Sequence, residues 1–348
     1  MAGRNYSLTE YFKRVAEGRR PMLSFSGASH ADWQQWREQF EAKVRELCGE
    51  WPQPVPLAAE VIYRVEEEHF VREKVVYDTE RHWSVPAYVL IPKDRRRAKD
   101  GKLPAILCLH GHGAYGKDAV AGVVDPNRPG LAAEIAGLNY DYGAQMAREG
   151  YLTISPDSRN FGECADLPER SGEVNCNWHF LRGSTMGINL LTLVIWDMMR
   201  TVDYLEAREE VDPARIGAMG LSWGGTRTTY LGALEPRIKA ADIICYLTTY
   251  KKFAIEMLGN ICGIQHLPEM YNYGDVADIA GLIAPRPLLV ESGAYDSCFP
   301  IEPTLQAHEH LRRIYRAAGA EDKLHIDVFS GGHQFHGPSA REFFDRYL

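Results

Sequence analysis

The sequence predicts an α/β protein, with a mostly parallel central sheet, helices on both of its faces and a helical extension at the N-terminus. Three observations carry this. Ala105-Ile106-Leu107-Cys108-Leu109 is a continuous apolar run, the pattern of a strand buried on both faces. Ile188, Leu191, Ile195, Met198, Val202 and Leu205 step by three and four residues, as the apolar stripe of a helix does. Runs of these two kinds alternate from Ala105 onward, and strands separated by helices pair in parallel.

Residues 1–58 read as the extension, and residues 59–348 as one large domain. Between Ala31 and Cys48, the residues Trp33, Trp36, Phe40, Val44 and Leu47 recur at helical spacing. This helix is expected to pack on the outside of the core and to end at Pro52, Pro54 and Pro56. Glu60 to Val65, Glu73 to Tyr77 and Ser84 to Ile91 alternate as strands and suit an antiparallel entry to the sheet. Further strands are expected at Leu152 to Pro156, Arg215 to Met219, Ala240 to Tyr246, Pro287 to Val290 and Leu324 to Phe329. Residues 114–138, 158–185 and 249–280 exceed ordinary connections and read as insertions, which in compact domains tend to cover sites.

Composition narrows the functional classes. The chain has 348 residues, 45% of them apolar and 25% charged, as expected of a globular protein. Its net charge of −8 disfavours nucleic acid and anionic membranes, both of which need clustered Lys and Arg. There is no apolar run of transmembrane length, and the opening residues lack an apolar signal core, so a cytoplasmic location is expected. The seven cysteines show no paired spacing and read as reduced thiols.

The candidate chemistry begins at Gly220-Leu221-Ser222-Trp223-Gly224-Gly225. This segment follows the apolar run Ile216 to Met219 and precedes a helix-compatible stretch, Thr226 to Leu234. A serine at the apex of so sharp a strand-to-helix turn projects its hydroxyl above the sheet, and the flanking glycines avoid clashes with neighbouring backbone. Strand Ala105 to Leu109 runs into His110-Gly111-His112-Gly113, whose small residues let backbone N–H groups approach a developing oxyanion. His112 N–H and Trp223 N–H are the expected donors, with Gly113 as the second choice at the first position. His110 and His112, two residues apart, could also be metal ligands, but no carboxylate or cysteine cluster accompanies them, and no metal is expected.

A serine hydroxyl needs a base, and the base needs an orienting carboxylate. Asp296 leads, because it lies on the loop leaving Pro287 to Val290, whereas Glu291 is still on the strand and Glu302 begins the next helix. His333 leads as the base because it follows Gly331-Gly332 at a strand end; His336 is the alternative. His308 and His310 fall in a helical stretch and are expected to be solvated.

With these motifs, and with Asp157-Ser158-Arg159-Asn160-Phe161-Gly162, the chain resembles the α/β-hydrolase superfamily over roughly residues 60–348. Within it, the chain is most similar to the dienelactone hydrolase and acetyl xylan esterase-like group. The resemblance implies an α/β-hydrolase fold and a serine esterase working through an acyl-enzyme. It implies Ser222 as nucleophile, His333 as base and Asp296 as acid, with Arg159 and His110 in structural roles near the site. Ser222 stands where dienelactone hydrolases carry cysteine, and the extension is too short for an oligopeptidase propeller. No cofactor is expected, and the partner is a small-molecule ester. Tyr115, Trp178, Phe299 and His336 are candidate pocket residues. Amide or peptide cleavage by the same residues, and a silent binding protein, are the alternatives. A homo-oligomer is possible on this reading, since the N-terminal helix could pack on its own core or on a partner.

Overall fold

The computed structural model of the chain describes residues 4–166, 173–257 and 262–348, so parts of the second and third expected insertions lie outside the described residues. Two helices form the N-terminal extension, α1 (Leu8–Glu17) and α2 (His30–Cys48). Ser29 caps α2 by accepting from Asp32 N–H, while the Asp32 carboxylate accepts from Ser29 N–H, a reciprocal capping box. The helix stops at Cys48, because Gly49 takes φ +72°, and not at the prolines farther on. Trp33, Trp36, Phe40, Val44 and Cys48 are buried in the same cluster as Leu311, Ile314 and Tyr315, so the extension completes the main core. Each large side chain buried this way contributes roughly 1.5–3 kcal/mol.

After α2 come β1 (Glu60–Glu66), β2 (Phe70–Glu80), β3 (Trp83–Pro92) and β4 (Leu103–Leu109). Three helices follow, α3 (Lys117–Val120), α4 (Pro129–Leu138) and α5 (Tyr142–Arg148), leading to β5 (Leu152–Pro156). Next are α6 (Glu173–Thr185), α7 (Leu190–Glu206), β6 (Val211–Leu221), α8 (Trp223–Leu234) and β7 (Ile238–Ile244). The chain closes with α9 (Val276–Gly281), β8 (Leu288–Gly293), α10 (Ile301–Ala317), β9 (Leu324–Phe329) and α11 (Pro338–Tyr347).

The nine strands form one sheet in the order β1-β2-β3-β5-β4-β6-β7-β8-β9. The first three pair antiparallel, β3 also pairs antiparallel with β5, and every pair from β5 to β9 is parallel. On β4, Leu103, Ala105, Leu107 and Leu109 face one core cluster, while Ile106 and Cys108 face the other. That is the physical meaning of its unbroken apolar run: both faces are covered.

Strand order reverses around β4, which lies between β5 and β6. Such a switch point leaves a crevice at the carboxyl ends of the strands, where ligands bind in open α/β sheets. The expected solvated histidines of α10 are corrected here. His308 is buried against Ser292, with Nε2 3.3 Å from Oγ, and His310 Nε2 lies 2.6 Å from Asp278 Oδ1. His308 thus ties α10 to β8, and His310 ties it to α9.

Candidate active site

Ser222 occupies the turn between β6 and α8 with φ +60° and ψ −115°, a strained conformation for a residue with a Cβ. Its own N–H donates to Ile244 O at 2.9 Å, and its carbonyl accepts from Thr226 N–H at 3.0 Å. The glycines around it are forced by backbone proximity. A Cβ at Gly220 would meet the Gly224 carbonyl carbon at 2.5 Å, and one at Gly224 would overlap the Leu109 carbonyl oxygen.

Opposite the turn, His333 Nδ1 lies 2.8 Å from Asp296 Oδ2. The other carboxylate oxygen, Oδ1, accepts from Cys298 N–H at 2.7 Å and Phe299 N–H at 2.9 Å, so Asp296 is buried and fully held. The loop carrying His333 is clamped to the loop carrying Asp296: Tyr295 N–H donates to Gly331 O at 2.9 Å, and a Cβ at Gly293 would overlap Gly332 O. Gly293, on the strand end before Asp296, therefore permits this contact. The Phe299 ring stacks on the imidazole, with centroids 5.7 Å apart. Behind it, the buried Cys245 thiol, held protonated by burial, donates to Gln334 O.

Ser222 and His333 line one cavity of about 270 Å³ together with His112, Gly113, Phe299, Glu134 and Tyr140. No lysine or arginine is among its lining residues. Gly111 N–H donates to the Tyr140 hydroxyl, which leaves His112 and Gly113 as the donors facing the cavity from this loop. Trp223 begins α8, where an N–H has no intrahelical acceptor. Its indole is fully buried and donates to Ser158 Oγ at 3.3 Å, so the ring stays beneath the pocket.

His110 Nε2 accepts from Ser158 N–H at 2.9 Å, and Nδ1 donates to Gly111 O at 2.7 Å. Burial holds this imidazole well below its usual pKa, so it is neutral, and both nitrogens are engaged. Arg159 grips Asp197 with Nε at 2.7 Å and Nη2 at 2.9 Å, and Nη2 also reaches Glu80 at 2.6 Å. This fork fastens the loop after β5 to α7 and β2.

Of the four candidate pocket residues, only Phe299 lines the cavity. Tyr115 packs at the edge of the second core cluster, under the Arg128 guanidinium. Trp178 sits on the outer side of α6 at 40% exposure. His336 is turned away: its Nδ1 lies 2.7 Å from Asp327 Oδ2, its N–H donates to Glu291, and its ring stacks on Phe329. These contacts hold the His336 ring against β8 and β9 residues, while His333 lines the cavity.

Three residues near the site gave no sequence signal. Tyr140 holds the Gly111 N–H, and Tyr142 donates to Leu109 O at 2.6 Å, both reaching the loop after β4 from α5 and its approach. Arg227, fully buried on α8, donates to His110 O at 2.5 Å, and burial brings its pKa down to about 10. None carries a motif, because each acts on backbone far away in sequence.

A serine on a strained strand-to-helix turn, beside a carboxylate-held imidazole at the carboxyl ends of parallel strands, is the layout of an α/β hydrolase. The chain belongs to the abhydrolase family, whose description matches residues 2–346. It is 26% identical over 302 residues to YtaP of Bacillus subtilis (strain 168), a protein named provisionally as a hydrolase, covering 85% of this chain and 94% of that one. Among solved structures, it is similar to a provisionally named acetyl xylan esterase of Bacteroides fragilis, with a TM-score of 0.75, 20% identity and coverage of 94% and 83%. It also resembles a glucuronoyl esterase of Solibacter usitatus, with a TM-score of 0.65, 15% identity and coverage of 93% and 96%. Among the described residues, no helix is long and apolar enough to cross a membrane.

Proposed function

We propose that this protein hydrolyses carboxylic esters through an acyl-enzyme formed on Ser222. The observation that carries the reading is the His333 imidazole, 2.8 Å from the buried Asp296 carboxylate and lining one cavity with a serine held on a strained turn. His333 takes the hydroxyl proton as Ser222 attacks the carbonyl, then returns it to the leaving alcohol. Asp296 fixes the tautomer, since its carboxylate faces Nδ1 and leaves Nε2 for the serine. Backbone N–H groups of His112 and Trp223 bind the oxyanion; losing one such donor typically raises the barrier by about 3 kcal/mol.

The small cavity, with Phe253 and Phe299 on its wall and no cationic side chain in its lining, suits a compact neutral acyl group. The names of two of the similar structures, acetyl xylan esterase and glucuronoyl esterase, agree with small esters of carbohydrates as the substrate class. Hydrolysis of p-nitrophenyl acetate and of acetylated and methyl-esterified sugars, with the Ser222→Ala protein in parallel, tests this. The variant should lose activity and fluorophosphonate labelling; full activity in it would sink the assignment. Faster turnover of peptide anilides than of esters would favour the amidase alternative.

A further inference from the structure

The fold gathers a second group of reactive side chains beneath the candidate active site. The potential ligand atoms of His112, Cys176 and Cys262 all lie within 4.8 Å of one another. They come from three separate segments: the loop after β4, helix α6, and the start of the 3-10 turn Gly263–Gln265. Both thiols are buried. His112 Nε2 is buried and makes no hydrogen bond of good geometry, although polar atoms at this depth ordinarily do; the imidazole interacts instead with the Cys176 thiol. We propose that His112, Cys176 and Cys262 bind a zinc-class divalent ion, which fastens α6 and the 263–265 turn to the loop carrying the candidate oxyanion donor.

The chemistry of the donors selects this class. Two thiolates and an imidazole suit a borderline-soft, tetrahedral cation and are poor ligands for magnesium or calcium. Bond lengths of about 2.3 Å to sulfur and about 2.0 Å to nitrogen place tetrahedral ligands roughly 3.5–3.8 Å apart, within the observed spread. Asn160 Nδ2 donates to Cys176 Sγ at 3.2 Å, the kind of outer contact that orients a metal-bound sulfur. Asn177 Oδ1 accepts from Gly263 N–H at 2.9 Å and ties the same two segments independently. The imidazole is wedged between Phe161 and Trp223, with centroids at 5.5 and 5.9 Å. A simple Cys176–Cys262 disulfide would leave His112 Nε2 without a role, which favours the ion. The inference stands apart from the esterase reading, since it concerns only the support of the loop.

The test uses the full chain, reduced, stripped with chelator and then loaded with zinc ion alone. One equivalent of zinc should be retained after gel filtration and should raise the thermal midpoint. Loading with cobalt(II) instead should give a thiolate-to-cobalt charge-transfer band and the intense visible bands of a tetrahedral ion. These spectra need no variant. Cys176→Ser and Cys262→Ser should each abolish the charge-transfer intensity in part and weaken zinc at least about tenfold. Retention of no zinc, a cobalt spectrum without thiolate bands, or wild-type zinc affinity in both variants would overturn the site. So would a reduced protein that ignores zinc yet forms a Cys176–Cys262 disulfide, seen by mass, on treatment with hydrogen peroxide: two thiols lose two electrons and two protons, and the peroxide leaves as water.

Discussion

Ser222 holds φ +60° because everything around it leaves no alternative. Gly220, Gly224 and the Leu109 carbonyl occupy the space that a relaxed turn would need. Gly224→Ala should therefore cost at least about 3 kcal/mol, since backbone must move to admit the new Cβ. Urea denaturation reads this directly, and a midpoint equal to that of the wild type would contradict the packing argument. Under the proposed mechanism, Asp296→Asn leaves geometry nearly intact but presents the wrong partner to His333 Nδ1. An approximately 10⁴-fold drop in kcat, with KM little changed, is the expected result of steady-state assays. These residues were legible in sequence because each sits just beyond a strand end. Tyr140, Tyr142 and Arg227 were not, because their hydrogen bonds go to backbone that only the fold brings near. His336 was a candidate by closeness to His333, and side-chain direction on the loop decided against the pocket.

At the level of elements, helix α2 illustrates how periodicity is read correctly and context is not. Its stripe of Trp33, Trp36, Phe40 and Val44 was plain in the sequence. What the stripe covers was not: Phe40 fills the space beside Gly274, and Trp36 reaches Gly281 at the start of the α9–β8 connection. Phe40→Ala should lower unfolding stability by about 3–5 kcal/mol, measured by denaturant, because the cavity lies between two elements that cannot collapse together. A change under 1 kcal/mol would mean that the extension is dispensable. Strand boundaries were legible to within a few residues, since apolar runs report burial. The strand at Ala240 to Tyr246 ends earlier, at Ile244, because Cys245 turns away with φ +47° and forms part of the floor under His333.

Across the whole molecule, a buried acid cluster links three neighbouring strands. Glu291 on β8 and Asp327 on β9 are register partners, and Asp242 on β7, which pairs with Leu289, lies diagonally from Glu291 on the same face. Asp242 is fully buried, and neither carboxylate oxygen has a partner among the described residues. Burial raises Asp242 well above its usual value, and burial together with Asp327 pushes Glu291 up to about 7. An acid whose folded pKa is raised contributes stability that is present below its ordinary value of 4.5 and lost as pH climbs through about 7. Glu291→Gln keeps the neutral form at every pH and still accepts from His336 N–H. The variant should match the wild type at pH 4 and gain up to roughly 3 kcal/mol on it by pH 8, by urea titration at each pH. A constant difference across that range would show that Glu291 does not carry the proton.

The sequence by itself determined the fold class and singled out the candidate catalytic positions, because both leave local marks. Burial on two faces writes an apolar run, helical faces write a stripe, and a serine elbow writes its glycines. Tertiary structure alone decided which aromatic residues face the cavity, what holds the loop after β4, and which distant groups meet. The clearest case is His112. The cysteine nearest to it in sequence, Cys108, is buried within β4, yet folding brings Cys176 and Cys262 to it from two insertions. Contacts between segments so far apart are set by the sheet order and leave no periodic trace in the chain.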